Sequence, residues 1–495
     1  MNRSENLNRV RDRTEPWDMI VIGGGATGVG CAVDAASRGY SVLLLEQHDF
    51  GKGTSSRSTK LIHGGVRYLR QGNISLVREA LKERGILLKN APHVVRKQSF
   101  LVPCYSLWQI VFYGIGLKIY DVLAGKQSLG KSVILSKNET IERLPTIDRA
   151  GLAGGVLYTD GQFDDTQLLI DLVTTAASHG AAVLNYAKVV SLIKDSNGRV
   201  TGVSFEDAET DETFNVAAKA VINATGVFCD AVRTMSDTTA KPVVTFSQGI
   251  HLVFDRRFLP GDDAVMIPKT GDGRVLFCIP WLGATLVGTT DTPVAEAALE
   301  PAALDDEIDF VLETAGRYLA EKPTRNDILS VFAGIRPLLR RGKGQKTSKI
   351  SRSHDLFVDD ASLVTITGGK WTTYRLMAED AVNKAAEIGR LPHRECVTAK
   401  LAINAPEQRP DDESLHPDLP YTADDVLRAV RSEMARTVED VLARRTRTLF
   451  LDARAAIEIA PMVAEIMADE LGKDGGWIAS QIGQFNETAK TYVRE

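Results

Sequence analysis

Three glycines and one carboxylate, at a fixed spacing, carry the first chemical signal in this chain. Gly23, Gly25 and Gly28 stand as G-x-G-x-x-G directly after a short apolar run, residues 19–22. In such a turn the first glycine permits the sharp reversal, the second lets the backbone approach a pyrophosphate, and the third lets helix and strand pack closely. The small residues that follow, including Ala26 and Thr27, open a helix whose N-terminal N–H groups and positive dipole end suit phosphate. Gly39 ends that helix, and a second apolar strand, 41–45, finishes in Glu46, eighteen residues beyond Gly28. An acid there accepts hydrogen bonds from a ribose 2′-hydroxyl. Strand, turn, helix, strand and acid in that order distinguish a dinucleotide site from a glycine turn kept only for packing.

Further chemistry-bearing residues are scattered along the chain. Residues 51–69 mix glycines with Thr54, Ser55, Ser56, Ser58, Thr59, Lys60, His63, Arg67 and Tyr68. That density of hydroxyls, glycines and cations predicts a ligand wall more than a plain polar loop. His251 falls on a predicted strand. Imidazole titrates near neutrality and so suits proton transfer, although a lone histidine is more often structural. Residues 335–352 hold seven Lys or Arg and no acid. Arg336, made extended by the following Pro337, is the one expected in a site, with Arg352 second. Guanidinium binds phosphate through two parallel donors. Gly368-Gly369-Lys370 opens the amphipathic segment 371–387, and a helix N-terminus there would stabilise negative charge on a ligand.

Size and composition set the frame. The chain has 495 residues, 44% hydrophobic and 25% charged, and a net charge of −5. It is long enough for two or three domains, and its balance argues against a general nucleic-acid surface. Cysteines 31, 104, 229, 278 and 396 form no C-x-x-C pair, which predicts a reducing compartment, no disulfide framework and no metal site. The first sixteen residues carry mixed charges and no apolar core of a signal peptide. A helix is expected over 74–90. An apolar aromatic stripe, 107–123, includes Trp108, Phe112, Ile115, Ile119 and Val122; Lys118 and Asp121 inside it argue against a clean membrane span. Residues 89–137 hold seven Lys or Arg against one acid, the setting of an interfacial helix on an anionic bilayer. A core or dimer helix is the other reading. Residues 156–193 resume α/β character, and Asn197-Gly198 marks a hairpin. Short alternating segments over 241–337 predict an antiparallel sheet. The prolines of 404–420 read as a linker before a helical C-terminal region with no visible chemistry.

GGGATG, then TSSRSTKLIHGGVRYL, resembles the FAD-dependent glycerol-3-phosphate dehydrogenases of the D-amino-acid-oxidase-like flavoproteins. The likeness continues in FSQGIHLVF (246–254), IPWLGATLVGTTDT (279–292), FAGIRPLL (332–339), TGGKWTTYR (367–375) and EMARTVEDVLARRTR (433–447). It covers nearly the whole chain. The resemblance implies an α/β fold: an FAD-binding Rossmann-like domain (1–75, 150–235, 355–400), an antiparallel β-sheet substrate-binding domain (76–149, 236–354) and, after the linker, a C-terminal α-helical domain (421–495). It implies FAD contacts from Gly23, Gly25, Ala26, Thr27, Gly28, Glu46, Thr54, Ser55, Ser56, Thr59, Lys60, Leu61, His63, Gly64 and Gly65. Val189 would meet adenine, Ala224-Thr225-Gly226 would close the FAD-binding sheet, and Gly369, Lys370, Trp371 and Thr372 would face the flavin. The implied reaction oxidises sn-glycerol 3-phosphate to dihydroxyacetone phosphate, with hydride passing to flavin N5 and electrons on to quinone. His63 and His251 are the candidate bases, with Arg336 and Lys370 completing the catalytic set. Arg67, Tyr68, Arg336, Arg352 and Lys370 are the substrate ligands. A peroxide-forming glycerol-3-phosphate oxidase, or a related FAD amine or amino-acid oxidase, is the competing expectation. The expected location is cytoplasmic with peripheral contact to the cytoplasmic face of the membrane, and a homodimer is compatible with it.

Overall fold

The computed structural model describes residues 1–494 except 67, 68, 70, 71, 269, 271–273, 341–353 and 407–412. Trp17–Ile22, the run before the glycines, lies parallel to Val42–Leu45 on one side and to Thr213–Asn223 on the other. Ala182–Leu184 extends this sheet at one end. Val364–Gly368 extends it at the other, edged by the antiparallel His354–Val358. Strands covered on both faces read as continuous apolar runs, and Met19, Ile20 and Val21 are fully buried. Helices Ala26–Ser37, Asp165–Ser178 and Tyr374–Ile388 cover one face. Leu7 and Val10 of helix Arg3–Arg11, with Val189, Val203 and Phe205 of a hairpin, cover the other. Gly198, at positive φ, turns that hairpin.

The second layer is a ten-stranded, mostly antiparallel sheet. Its longest ladder joins Val244–Asp255 to Ile328–Leu339, which sets Arg336 opposite Ser247 and Phe332 opposite His251. The domain division expected from the sequence needs correcting here. Gly154–Phe163, assigned to the nucleotide layer, pairs along its length with Val95–Cys104, from Val95 opposite Phe163 to Cys104 opposite Gly154. Leu61–Ile62 joins the same sheet. The partners lie far apart in sequence, so no local pattern marks the pairing. Helix Asp165–Ser178 then starts at once, its first N–H groups capped by Asp164.

The linker also needs correcting. Ser414–His416 and Leu419–Thr422 form an antiparallel hairpin with Pro417 in its turn, and Thr422 and Asp425 make a capping box for helix Ala423–Glu433. Nor is the C-terminal region separate. Its helices Thr448–Leu451, Ala453–Leu471 and Gly475–Ala489 share one apolar core with the antiparallel sheet. The Phe332 and Phe450 rings stand 4.8 Å apart, Phe450 and Tyr492 5.3 Å, and the Val331 N–H donates to the Tyr492 carbonyl at 2.9 Å. Charge closes the seam with the nucleotide layer: Asp49 accepts from Arg444 at 2.5 Å and from Arg445 at 2.8 Å, all three buried. Burial raises the Asp49 carboxyl, but Arg445 and Arg444 outweigh it and hold the group at about 2.

Phe450→Ala should remove about 3–5 kcal/mol of stability, and calorimetry should still record a single transition, at lower temperature. An early transition confined to the C-terminal helices would mean that the core is divided.

Candidate active site

A cavity of about 740 Å³ runs between the two layers, within the usual span of ligand pockets. Its floor is the glycine turn. Gly23 has φ +109°, and a Cβ there would meet the Ala224 carbonyl oxygen at 2.8 Å. A Cβ on Gly28 would lie 1.9 Å from the Gly23 carbonyl oxygen. Gly28 therefore makes close packing and does not itself line the cavity. Gly25, Ala26 and Thr27 do.

Glu46 lines the cavity, but its oxygens have backbone partners. Oε2 accepts the Gly24 N–H at 2.6 Å and Oε1 accepts the His48 N–H at 2.9 Å. Burial raises its pKa against these two bonds. The carboxylate thus braces the turn, and a ribose hydroxyl would share it.

Residues 54–59 are stitched to their surroundings from three directions. The Ser55 hydroxyl accepts the Ala26 N–H at 2.9 Å, and its carbonyl accepts Trp371 Nε1 at 2.8 Å. The Thr54 hydroxyl donates to the Ile335 carbonyl at 2.7 Å. Thr59 Oγ1 stands 2.9 Å from His251 Nε2. Thr54, Ser55, Thr59, Leu61, His63, Val189, Ala224, Thr225, Gly226, Gly369, Lys370, Trp371 and Thr372 line the cavity. Ser56, Lys60, Gly64 and Gly65 do not. The Ser56 hydroxyl turns to the Gly53 carbonyl, Lys60 dives beneath the segment to Asp165, and the Gly64 N–H points to Asp160. Ser56, Lys60 and Gly64 thus spend their polar groups inside the protein. Arg67, Tyr68 and Arg352 lie outside the described residues. The turn after Gly368-Gly369 also differs from expectation, since Trp371–Thr373 is a 3₁₀ turn and the α-helix starts at Tyr374.

The same cavity is lined by His63, His251, Arg336 and Lys370, with His251 and Arg336 on the antiparallel sheet and Lys370 just after the nucleotide-layer strand Val364–Gly368. Arg336 is held in advance by the Gln248 carbonyl at 3.3 Å and the Thr289 hydroxyl at 3.0 Å, with Asp291 at 3.8 Å. Asp291 in turn accepts the Ser247 hydroxyl. Gly249 leaves room for the guanidinium, which a Cβ would approach to 2.2 Å. His251 is buried and stacks on Phe332 at 4.9 Å. Desolvation, then the Lys60 and Arg336 charges, hold its pKa well below the usual imidazole range. It is therefore a neutral imidazole at pH 7, able to accept a proton.

Sequence reasoning missed several lining residues. His48, Lys52 and Lys188 lie at the Val189 end, and Lys52 is paired with Glu439 of the C-terminal region at 2.8 Å. Arg57 lines the middle, bonded to Glu300 at 2.5 Å and to the Ala333 carbonyl at 3.1 Å. Lys188 alternates on an ordinary strand and offers no local signal. Thr289 and Asp291 were visible only as part of the GTTDT motif.

A flavin dinucleotide fits these residues. Helix Ala26–Ser37 aims its N-terminus at the cavity, while Gly53 and Gly226 leave open space, an added Cβ meeting nothing within 4 Å. A parallel nucleotide layer with a late return strand, closed by an antiparallel sheet bearing cations and imidazoles, defines a flavin-dependent oxidoreductase. Residues 18–381 match the family model of FAD dependent oxidoreductases, and residues 364–476 match the C-terminal domain of alpha-glycerophosphate oxidase. Mitochondrial glycerol-3-phosphate dehydrogenase of Arabidopsis thaliana is 47% identical over 403 residues, covering 79% of this chain and 64% of its own, so the chain spans less than two thirds of that relative. The Rattus norvegicus enzyme of that name is 39% identical over 539 residues, covering 97% of this chain and 73% of its own. The crystal structure of glycerol-3-phosphate dehydrogenase from Bacillus halodurans, complexed with FAD, superimposes with a TM-score of 0.79 at 28% identity, over 99% of this chain and 98% of that one. The chain belongs to the FAD-dependent glycerol-3-phosphate dehydrogenase family, and its cofactor is FAD.

Gly28→Ala should yield protein purified without yellow colour, because a methyl group cannot enter a 1.9 Å gap against backbone. Retention of FAD at the wild-type ratio, read from the flavin absorbance, would contradict that packing.

Proposed function

We propose that the protein oxidises sn-glycerol 3-phosphate to dihydroxyacetone phosphate and passes the electrons to a quinone at a membrane surface. The observation that carries this reading is that Arg336, Lys370, His251 and His63 all line the one cavity whose floor is the glycine turn. FAD, when bound, supplies two-electron redox chemistry. The chain's own residues do the rest. Arg336 and Lys370 hold the phosphate, Arg336 through a fork already oriented by Gln248 and Thr289. His251 takes the proton of the C2 hydroxyl as that carbon becomes a carbonyl. Its depressed pKa keeps it ready for the proton, and Thr59 fixes the ring plane. His63 is the second candidate; its carbonyl accepts the Thr372 hydroxyl at 3.5 Å.

The membrane part of the proposal rests on helix Leu107–Ala124. Leu117 and Tyr120 face the core, whereas Leu107, Trp108, Val111, Phe112, Ile115, Ile119 and Val122 are exposed, beside exposed Val133 and Ile134. Trp108 is 72% and Val122 79% exposed. Among the described residues this helix, with its extension to Gln127, is the one long and apolar enough to cross a bilayer. Lys118 and Asp121 are nevertheless tied to Ser132 in the same fold, which favours a helix lying in the interface. The surface proposed is the cytoplasmic leaflet, on the cysteine spacing, which forms no C-x-x-C pair.

The match to the C-terminal domain of alpha-glycerophosphate oxidase supports a second reading, in which oxygen is the acceptor and hydrogen peroxide the product. Anaerobic bleaching by glycerol 3-phosphate tests the substrate, with glycerol and small amino acids as controls. Comparing quinone-analogue reduction with peroxide yield under air tests the acceptor. Bleaching by amino acids alone would overturn the substrate assignment.

His251→Ala should slow flavin reduction at least about a hundredfold, the usual worth of a general base. In the wild type the rate should stay level from neutrality to below pH 6.5. It should fall only where the depressed imidazole at last takes up a proton; a fall already centred near 6.5 would contradict its burial. Arg336→Ala should raise the KM for glycerol 3-phosphate more than tenfold, and an unchanged KM would remove it from the phosphate site. A Trp108→Asp/Phe112→Asp/Ile115→Asp variant should leave the membrane fraction. A variant that stays bound yet turns from dimer to monomer would assign this face to a second copy of the chain.

A further inference from the structure

We propose that Lys60 is a positioning residue for His251, itself held by Asp165 from the nucleotide layer and Arg447 from the C-terminal region. This rests on the reading of His251 as the base. Lys60 has no solvent exposure and does not reach the cavity. A buried ammonium is costly unless its partners compensate, so an uninvolved position would carry an apolar residue at least as well. Its Nζ donates to Asp165 Oδ2 at 2.6 Å and turns back to the Ser56 carbonyl at 2.7 Å. The same Asp165 oxygen accepts the Ser58 N–H at 3.1 Å and its hydroxyl at 2.7 Å. Arg447 donates to the Ser56 carbonyl at 2.9 Å and stands 3.4 Å from Asp165. Segment 56–60 is therefore a closed loop tied from below. Between its tied residues stands Thr59, whose hydroxyl is the sole hydrogen-bond partner of the His251 ring among the described residues.

Charge follows the same path. The His251 ring stacks on Phe332, and Lys60 Nζ lies 5.1 Å from the centre of that phenyl ring. The charged groups facing His251 are Lys60 from the loop and Arg336 from strand Ile328–Leu339. Strand Ala284–Gly288 presents only Gly288 backbone to it. Burial pulls Lys60 down to about 7, against the pull of Asp165. Burial also pushes Asp165 up, but Lys60 and Arg447 outweigh this and hold it below the usual carboxylate range. Lys60 is thus charged across the acidic range in which His251 would take up a proton, and it opposes that uptake. The C-terminal region, which touches no predicted ligand atom through Arg447, in this way reaches the imidazole.

The test follows the His251 imidazole itself by NMR in ¹⁵N-histidine-labelled holoenzyme, its signal assigned by loss in His251→Gln. In Lys60→Met the titration midpoint should rise by about one pH unit, the effect of removing a nearby like charge, with FAD still bound by its absorbance. The acid limb of flavin reduction should rise with it. Lys60→Arg, which keeps the charge, should restore the wild-type midpoint. Should Lys60→Met fail to fold, Lys60→Gln keeps a donor for Ser56 and Asp165 and carries the same expectation. An unmoved midpoint in the neutral variant, with FAD bound, overturns the inference. If the midpoint moves but His251→Gln still reduces flavin at the wild-type rate, the base assignment fails and the positioning role stands.

Discussion

A gap of 1.9 Å between the place of a Gly28 Cβ and the Gly23 carbonyl oxygen is the constraint on which the molecule is built. It brings the N-terminus of helix Ala26–Ser37 down onto the end of strand Trp17–Ile22. The close approach also puts Gly23 against Ala224, so the return strand Thr213–Asn223 must end at the same level. Three backbone segments then finish together, and the cavity opens at their common edge. Parallel strands with helical cover place such crevices at the carboxyl ends of the strands. Here that edge faces a second sheet, and the ligand space is the gap between them.

The segment after the second strand turns this cradle into a reaction site. It touches the nucleotide helix through Ser55, the strand Ile328–Leu339 through Thr54, and His251 through Thr59. One short stretch therefore sets the distance between the nucleotide floor and the strands that carry His251 and Arg336. Such precision needs rigid support, and the support is polar where the layers meet: Asp165 and Arg447 beneath the segment, Asp49 with Arg444 and Arg445 beside it. Buried ions are costly singly and tolerable when every charge has partners. The three arginines come from the C-terminal region, which also shares an apolar core with the antiparallel sheet.

The local part of this was legible in the sequence. The glycine turn, its flanking strands and helix Ile74–Asn90 follow from patterns a few residues long, and their roles follow from steric limits. The grouping of His251, Arg336 and Lys370 was not readable from spacing, because 85 and 34 residues separate them along the chain; only the family resemblance joined them. Gly154–Phe163 went to the wrong layer because its partner strand, Val95–Cys104, lies far upstream in the chain. Arg444, Arg445 and Arg447 fall in a C-terminal region where the sequence shows no chemistry, yet all are buried against the nucleotide layer. Lys60 misled in the opposite way: its neighbours contact the cavity, and alternation along the segment sends it underneath.

The apolar helix is held to the protein by polar groups on its inner face. Its inner face carries Tyr120, whose hydroxyl donates to Asp160 at 2.7 Å, while Arg84 donates to the other Asp160 oxygen at 2.8 Å. Asp160 also faces the Gly64 N–H at 3.4 Å, and Gly64 follows His63, which lines the cavity. A Cβ on Gly64 would meet the Tyr120 hydroxyl at 2.4 Å, so helix and active-site loop are in direct contact. Anchoring by a buried charge pair and a phenol leaves the outer face free of any packing duty. That is the physical condition for displaying Trp108, Phe112 and Ile115 without loosening the fold. The apolar face and the cavity lining at His63 are therefore two sides of a single polar anchor.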